Sequence, residues 1–152
     1  MLTRGLLIFA VAVVLGACGT DEPASIEGFD TTEITIDGRE FTVAVAETPD
    51  QRAQGLMSVT DLGGLDGMLF IFPADTEGGF WMKNTLIPLD IAFFDAEGLL
   101  VDRLAMEPCT ADPCPSYRPN GAYRSAVEAP EGDLAFAETG ARLEIVVDGD
   151  GR

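Results

Sequence analysis

The sequence predicts an α+β fold that is rich in β-structure, with short, mostly antiparallel strands in a compact sheet or barrel-like core and two short helices. Short runs of alternating apolar and polar residues recur along the chain, as expected of strands with one buried face. Two links between such runs carry a glycine turn that is typical of hairpins. Two other stretches carry signals of helix ends. Strands and helices in this mixed order indicate the α+β class.

The first hairpin and the first helix follow each other closely. Residues 34–45 form two alternating runs around an Asp-Gly pair, and glycine tolerates the positive φ of a tight hairpin turn. Thr48 and Gln51 fit a capping box, with a proline in the first turn between them. Gly55 then ends the predicted helix.

The remaining elements are mostly strands. The turn at 95–98 links two of them as a second hairpin, and the proline-rich stretch 108–121 is predicted to be a loop. Residues 130–139 are predicted to hold the second short helix, which ends at Gly140. The predicted strands are 67–72, 80–82, 89–94, 99–104, 123–128 and 142–147.

The N-terminal segment has the features of an export signal. Arg4 precedes an apolar run, residues 6–15, that is too short to span a membrane comfortably. The residues Leu15–Cys18 resemble the lipobox of bacterial lipoproteins, which implies cleavage before Cys18 and lipidation of that residue. We therefore expect a lipoprotein signal peptide at 1–17. An ordinary signal peptide with an incidental cysteine is the alternative.

The rest of the chain is expected to be a tether followed by one domain. Residues 18–32 are small and acidic, which suits a lipidated tether, and residues 33–148 form the single predicted globular domain. A lipid on Cys18 would hold the protein at the membrane, on the periplasmic or extracytoplasmic face of the bacterial envelope. We expect a monomer.

The charge balance excludes several classes of function. The chain has 26 acidic and nine basic side chains, no histidine, and a formal net charge of −17. A nucleic-acid partner is not expected, because phosphate binding needs clustered lysine and arginine. Without histidine, the commonest general base and zinc ligand are missing, and we expect neither a metal nor another cofactor.

Two cysteines lie five positions apart in the proline-rich loop. In an exported protein, Cys109 and Cys114 are expected to form a local disulfide that fixes the shape of this loop. A redox or metal role is the alternative, although a redox pair more typically has two intervening residues and a structural zinc site needs four ligands.

An unusual cluster of polar residues surrounds the chain's only tryptophan and its only lysine. In one interpretation the tryptophan is an aromatic platform and its polar neighbours hold a small ligand. In the other the tryptophan lies in the core, and Lys83 forms a structural ion pair with Asp90 or Glu128. The candidate ligand-binding residues are Trp81, Lys83, Asn84, Asp90, Arg52 and Glu128.

The stretch Phe80–Asp90, Phe-Trp-Met-Lys-Asn-Thr-Leu-Ile-Pro-Leu-Asp, closely resembles the signature of the bacterial and archaeal domain of unknown function 192 family. Further blocks resemble the family in the same order; they are 48–57, 67–72, 93–98, 108–117 and the pair 127–128. The resemblance implies a compact, β-rich α+β domain that is often exported, and it implies no established activity. Function carried over from fold alone would be an analogy.

The sequence favours a non-catalytic module that binds a small ligand or a glycan, or has an accessory role, in the cell envelope. No serine lies in a nucleophile-elbow pattern, and no catalytic set is recognisable. The alternative is a hydrolase-like envelope enzyme that uses Lys83 or a carboxylate as its base. Whether the protein is an enzyme is left open, and the balance is against it.

Overall fold

The computed structural model describes residues 26–146, and these form one β-rich domain. Strands account for 48% of the residues, and the one α-helix, α1 (Pro49–Gln54), has six residues. The predicted signal peptide at 1–17 and Cys18 lie outside the described residues. Within residues 26–146, no helix is long and apolar enough to cross a membrane.

Seven strands form one curled, half-barrel sheet in the order β6-β5-β8-β3-β2-β1-β9. Every neighbouring pair is antiparallel except β2 and β3, which run parallel. Two short strands, β4 and β7, form a separate ribbon. The strands are β1 (Asp30–Ile36), β2 (Arg39–Ala46), β3 (Gly67–Thr76), β4 (Phe80–Trp81), β5 (Leu89–Phe94), β6 (Leu100–Met106), β7 (Ser116–Tyr117), β8 (Tyr123–Pro130) and β9 (Leu143–Val146).

The two edges of the sheet meet at one end. Leu99, just before β6, bridges Arg142, just before β9, and the amide of Leu143 donates to the carbonyl of Gly98 at 2.8 Å. These contacts occur at one end of the edge strands, so the sheet curls without closing into a barrel.

The expectation of an α+β fold with two short helices is wrong: the domain is a β-fold with one short helix. The predicted second helix, 130–139, is a series of turns in which amides bond to carbonyls three residues earlier, as Ala137 does to Leu134. Leu134 and Ala137 are buried in one of the two cores, and Gly132 has a φ of +93°. Packing of these apolar side chains therefore overrides a weak helical tendency.

The local signals in the sequence are confirmed. The hairpin β1–β2 turns at the predicted Asp-Gly pair, and β5–β6 forms the second hairpin. Thr48 caps α1 with both bonds of the capping box present, and Gly55 is its C-cap. Strand β3 continues past Pro73, which lies where the register of β3 against β8 shifts and a missing amide is tolerated.

The sheet has a hydrophobic core on each face. Glu128 of β8 lies directly opposite Met68 of β3 and Ile91 of β5, and both of these neighbours belong to the first core. Residues that lie opposite one another share a face, so the Glu128 side chain also points to the first core. Asp90 pairs with Ala129 and therefore lies on the other face, with the second core.

Candidate functional site

Glu128 is a buried acid at a small internal space. Glu128 is only 5% exposed, and it lines a cavity of about 30 Å³. Burial raises the pKa of the Glu128 carboxyl group from 4.5 to about 8. At neutral pH the group is therefore predominantly a neutral carboxylic acid, which both donates and accepts hydrogen bonds.

We call this space the Glu128 cavity. It lies between the end of α1, the ribbon strand β4 and the central strands of the sheet. A space of this size holds about two water molecules and is too small for a whole metabolite. Its lining residues are Arg52, Ala53, Gln54, Gly55, Leu56, Met57, Phe70, Phe80, Trp81, Thr85 and Glu128.

Trp81 is the most exposed large apolar side chain of the described residues, at 52%. It lines the Glu128 cavity and also a larger neighbouring space of about 280 Å³, which we call the Trp81 cleft. That volume is close to the lower end of small-molecule pockets, at roughly 300 Å³. The cleft is lined by Arg52, Ala53, Phe72, Gly78, Gly79, Phe80, Trp81 and Tyr123.

Aromatic side chains pack around Phe80, which lines both spaces. The Phe80 ring packs edge-to-face on Phe70, with centroids 4.9 Å apart, and contacts Tyr123 from the other side. The Tyr123 hydroxyl donates to the carbonyl of Gly78 at 2.8 Å, and burial raises the pKa of this hydroxyl to about 12. The Tyr123 side chain of the cleft is therefore neutral far above physiological pH.

Arg52 lines both spaces but is committed to the backbone. Its guanidinium donates to the carbonyls of Glu47 and Ile71, the latter at 3.0 Å. It also lies over the Phe72 ring, 4.9 Å from the centroid. The guanidinium thus fastens α1 to β3, and no ion pair joins it to Glu128 among residues 26–146.

Lys83 belongs to the outer side of the site. Its ammonium group pairs with Asp112 at 2.8 Å and lies 5.6 Å from the centroid of the Trp81 ring. Asp112 is held in the loop closed by the Cys109–Cys114 disulfide, whose Sγ atoms are 2.08 Å apart, and this confirms the predicted bridge. The expected structural pairing of Lys83 with Asp90 or Glu128 does not form, because the lysine points to this loop instead.

Asn84 and Asp90 lie away from the two spaces. Asn84 is exposed and has a φ of +55°, and its backbone amide donates to the carbonyl of Cys109 at 2.9 Å. The buried carboxylate of Asp90 accepts from the Gly132 amide at 3.0 Å and lies 3.9 Å from Arg103. The structure therefore brings together three of the predicted residues, Arg52, Trp81 and Glu128, and it places Lys83 beside them.

Comparison with known families decides the identity of the domain. The sequence model of the family DUF192, described as "Uncharacterized ACR", matches residues 32–145. The chain belongs to this family. The family assignment that the Phe80–Asp90 stretch suggested is thereby confirmed. No protein with a curated description matches the sequence.

Two solved structures resemble this DUF192 domain. A protein of unknown function from Novosphingobium aromaticivorans is 26% identical, with a TM-score of 0.69 over 78% of this chain and 88% of its own. A protein from Sinorhizobium meliloti, named "putative transcription regulator", is 27% identical, with a TM-score of 0.67 over 77% of this chain and 95% of its own. The half-barrel is thus a fold that this DUF192 chain has in common with both proteins.

Sequence reasoning missed several residues that shape the site of the DUF192 domain. Thr85 is buried and lines the Glu128 cavity, and its place within the Phe80–Asp90 stretch was the one available signal. Gly79 lines the Trp81 cleft, and a Cβ atom there would lie 2.4 Å from the Ser116 hydroxyl. That close approach depends on the β4–β7 pairing, which no local pattern indicates.

The described part of the chain has no set of side chains that is placed to bind a metal ion. Across residues 26–146, no group of three or more acidic or cysteine side chains is placed to hold a metal ion. The site offers a neutral acid, an exposed indole, a guanidinium bonded to backbone carbonyls, and the hydroxyl groups of Thr85 and Tyr123.

Proposed function

We propose that this DUF192 protein is an envelope lipoprotein whose domain binds a small, uncharged ligand such as a glycan unit, without catalysing a reaction on it. The binding site is the Trp81 cleft. The observation that carries the proposal is a half-exposed indole that lines both a cleft and the small cavity that a buried acid also lines.

The chemistry of the cleft supports a ring-shaped, uncharged ligand. An exposed indole offers an apolar face on which a sugar or another flat ring can stack, and ligand pockets typically combine such a face with a few polar groups. The volume of about 280 Å³ fits one ring rather than a long chain. The net charge of −17 disfavours an anionic ligand in the same place.

The name of the Sinorhizobium meliloti relative suggests a different role, but the charge of this chain argues against it. Binding to DNA relies on lysine and arginine that neutralise phosphates. Here Arg52 and Arg142 each donate to backbone carbonyls, and Arg124 pairs with Asp75 at 2.8 Å. We therefore do not propose a nucleic-acid partner.

The membrane anchor rests on the sequence. The lipobox-like Leu15–Cys18 supports lipidation at Cys18, and the acidic stretch that follows supports a tether that keeps the domain clear of an anionic surface. Expression of wild type and Cys18→Ser in a bacterial host that is fed an alkyne fatty acid tests this. We expect label and membrane-fraction protein for wild type only; equal labelling of both forms would exclude Cys18 as the lipid site.

A hydrolase is the second candidate, and Glu128 is the observation that favours it. An acid whose pKa is near 8 because it is buried, in a cavity that a tryptophan also lines, is suited to general-acid catalysis. Lys83 is a poor base in comparison, because a base must be the neutral amine and this ammonium group is ion-paired with Asp112. No second carboxyl group lines the Glu128 cavity, and that favours binding alone.

A thermal-shift screen tests the binding proposal. Wild type, Trp81→Ala and Leu86→Ala are heated with a panel of uncharged mono- and disaccharides; Leu86 is the matched control because it is also exposed but lines neither space. We expect at least one sugar to stabilise wild type and Leu86→Ala but not Trp81→Ala. Equal stabilisation of all three proteins would place binding elsewhere. Turnover of a bound sugar that Glu128→Gln abolishes would replace the binding proposal with the hydrolase.

A further inference from the structure

Glu128 is a buried acid of the site for which the described part of the protein provides no ion-pair partner. The ion pairs of residues 26–146 do not include it, although the residue is only 5% exposed. Every side-chain nitrogen or oxygen of the described part that is sealed from solvent has a hydrogen-bond partner. The oxygens of Glu128 therefore keep access to the Glu128 cavity, which the residue lines.

The groups around this carboxyl group keep it neutral. From the sheet it faces the apolar side chains of Met68 on β3 and Ile91 on β5. From α1 and the residues after it, the one charged side chain is Arg52, whose guanidinium already donates to two carbonyls. From β4 and the loop beyond, Trp81 and Thr85 carry no charge. Burial thus governs the ionisation of Glu128, and the charge of Arg52 does not offset it.

The Glu128 cavity and the Trp81 cleft share four lining residues, which are Arg52, Ala53, Phe80 and Trp81. We propose that Glu128 donates the hydrogen bond that orients the ligand of the Trp81 cleft, and that this ligand presents an uncharged oxygen, a hydroxyl or a carbonyl, at the Glu128 cavity. The inference rests on the proposed function and adds the chemical class of the ligand and its dependence on a proton.

The volume of the Glu128 cavity and the charge of the protein favour a ligand that presents an uncharged oxygen there. A space of about 30 Å³ has room for one small substituent while the ring of the ligand stays in the cleft. An anionic substituent would have to enter a protein of net charge −17. A cationic substituent would require the ionised form of Glu128, which burial disfavours. An uncharged oxygen can accept a hydrogen bond from the protonated Glu128 carboxyl group. Its binding brings no negative charge to the protein and does not require Glu128 to ionise.

The protonation state of Glu128 predicts how the affinity for the ligand changes with pH. The pKa of Glu128 is about 8, so the donor is present at about pH 6.5 and is mostly lost at about pH 9. When only the protonated form binds, the apparent affinity falls in proportion to its population, which is a loss of about 10-fold over this interval. Tyr123 stays protonated throughout, because burial raises its pKa to about 12.

Titrations followed by the fluorescence of Trp81, the chain's only tryptophan, measure this affinity. The probes are glucose and N-acetylglucosamine as uncharged one-ring sugars, with glucuronate as the anion and glucosamine as the cation at the lower pH. We expect an uncharged sugar to bind best and to lose about 10-fold at the higher pH. Tightest binding of glucuronate or glucosamine would overturn the inference and the uncharged class of the ligand, while binding in the cleft would remain. Binding of none of the probes would remove the proposed function and the inference together.

Three variants distinguish the contribution of Glu128 to ligand affinity from that of the rest of the cleft. Glu128→Gln keeps a neutral donor, so its affinity should stay within about threefold of wild type at the lower pH and become independent of pH. Glu128→Met removes the donor and should bind about 10-fold more weakly at the lower pH, the effect of one lost neutral hydrogen bond. Glu138→Gln, an exposed glutamate, is the matched control and should follow wild type. Equal affinity of wild type and Glu128→Met at both pH values would refute the role of Glu128.

Discussion

Replacing Glu128 by glutamine should stabilise this protein, and the gain should grow with pH. Glutamine is neutral at every pH and has nearly the same size and shape as the protonated acid. The wild-type side chain is neutral only while it holds its proton, and the unfolded chain gives up that proton far more readily than the folded one, since the pKa is 4.5 without burial and about 8 in the fold.

The magnitude follows from this difference in pKa. Below about pH 4.5 the carboxyl group is protonated in both states, and Glu128 adds no pH dependence. Between pH 4.5 and about 8 the unfolded state releases the proton while the folded state retains it, so wild type loses about 1.4 kcal/mol of stability per pH unit. The glutamine variant escapes this loss. We expect it to be more stable than wild type by about 3 kcal/mol at pH 7 and by about 5 kcal/mol above pH 8.

Urea unfolding at about pH 5, 7 and 8.5 measures the difference between the two proteins. Taking that difference cancels the titration of the other carboxyl groups, which are the same in both. Glu138→Gln serves as the control and should stay within about 0.5 kcal/mol of wild type at each pH, because that side chain is exposed. A glutamine variant that is less stable than wild type at neutral pH, or a difference that does not change with pH, would show that Glu128 is ionised and compensated in the fold, and the reasoning would fail.

Three further substitutions test how the frame of the site is built. Gly67→Ala should cost about 3 kcal/mol in urea unfolding, because its Cβ would lie 2.0 Å from the carbonyl oxygen of Glu128; Gly78→Ala, whose Cβ would have a nearest contact of 3.4 Å, should cost much less. Thr48→Ala should cost about 1 kcal/mol by removing the cap of α1, and an unchanged urea midpoint would contradict the role of the capping box. The double substitution of Cys109 and Cys114 by alanine should cost about 2 kcal/mol, the loop-closure entropy of a short loop, and a loss above 5 kcal/mol would show that the disulfide does more.

The parts of the fold that were predictable are those encoded by neighbouring residues. Both hairpins and the capping box of α1 depend on residues a few positions apart, and the structure contains all three. The order of the strands depends on distant pairings that leave no local mark. The parallel pair β2–β3 and the insertion of β8 between β3 and β5 are of this kind.

The candidate site likewise has a part that the local sequence indicated and a part that depends on the tertiary fold. The concentration of polar residues around Trp81 pointed to the region in which the structure has the two spaces, and Arg52 and Glu128 join it through the tertiary fold. Asp90 does not, because every residue of β5 is buried and the sequence Leu-Asp-Ile-Ala-Phe-Phe gives no alternation from which to read its face. The pairing of Lys83 with Asp112 required knowledge of the disulfide loop, which lies 29 residues further along the chain.

The cost of Glu128 is itself an argument for a ligand. A domain of this size is stable by roughly 5–15 kcal/mol in total, so a side chain that removes about 3 kcal/mol at neutral pH takes a large share of that margin. A buried acid of purely structural value would be satisfied by a protein group, as Asp90 is by the Gly132 amide and by Arg103. Glu128 instead faces a cavity of about 30 Å³ beside the exposed Trp81. Glu128 lowers the stability of the fold and has no compensating ion pair inside the described part of the protein. This is expected of a side chain whose partner is a bound ligand.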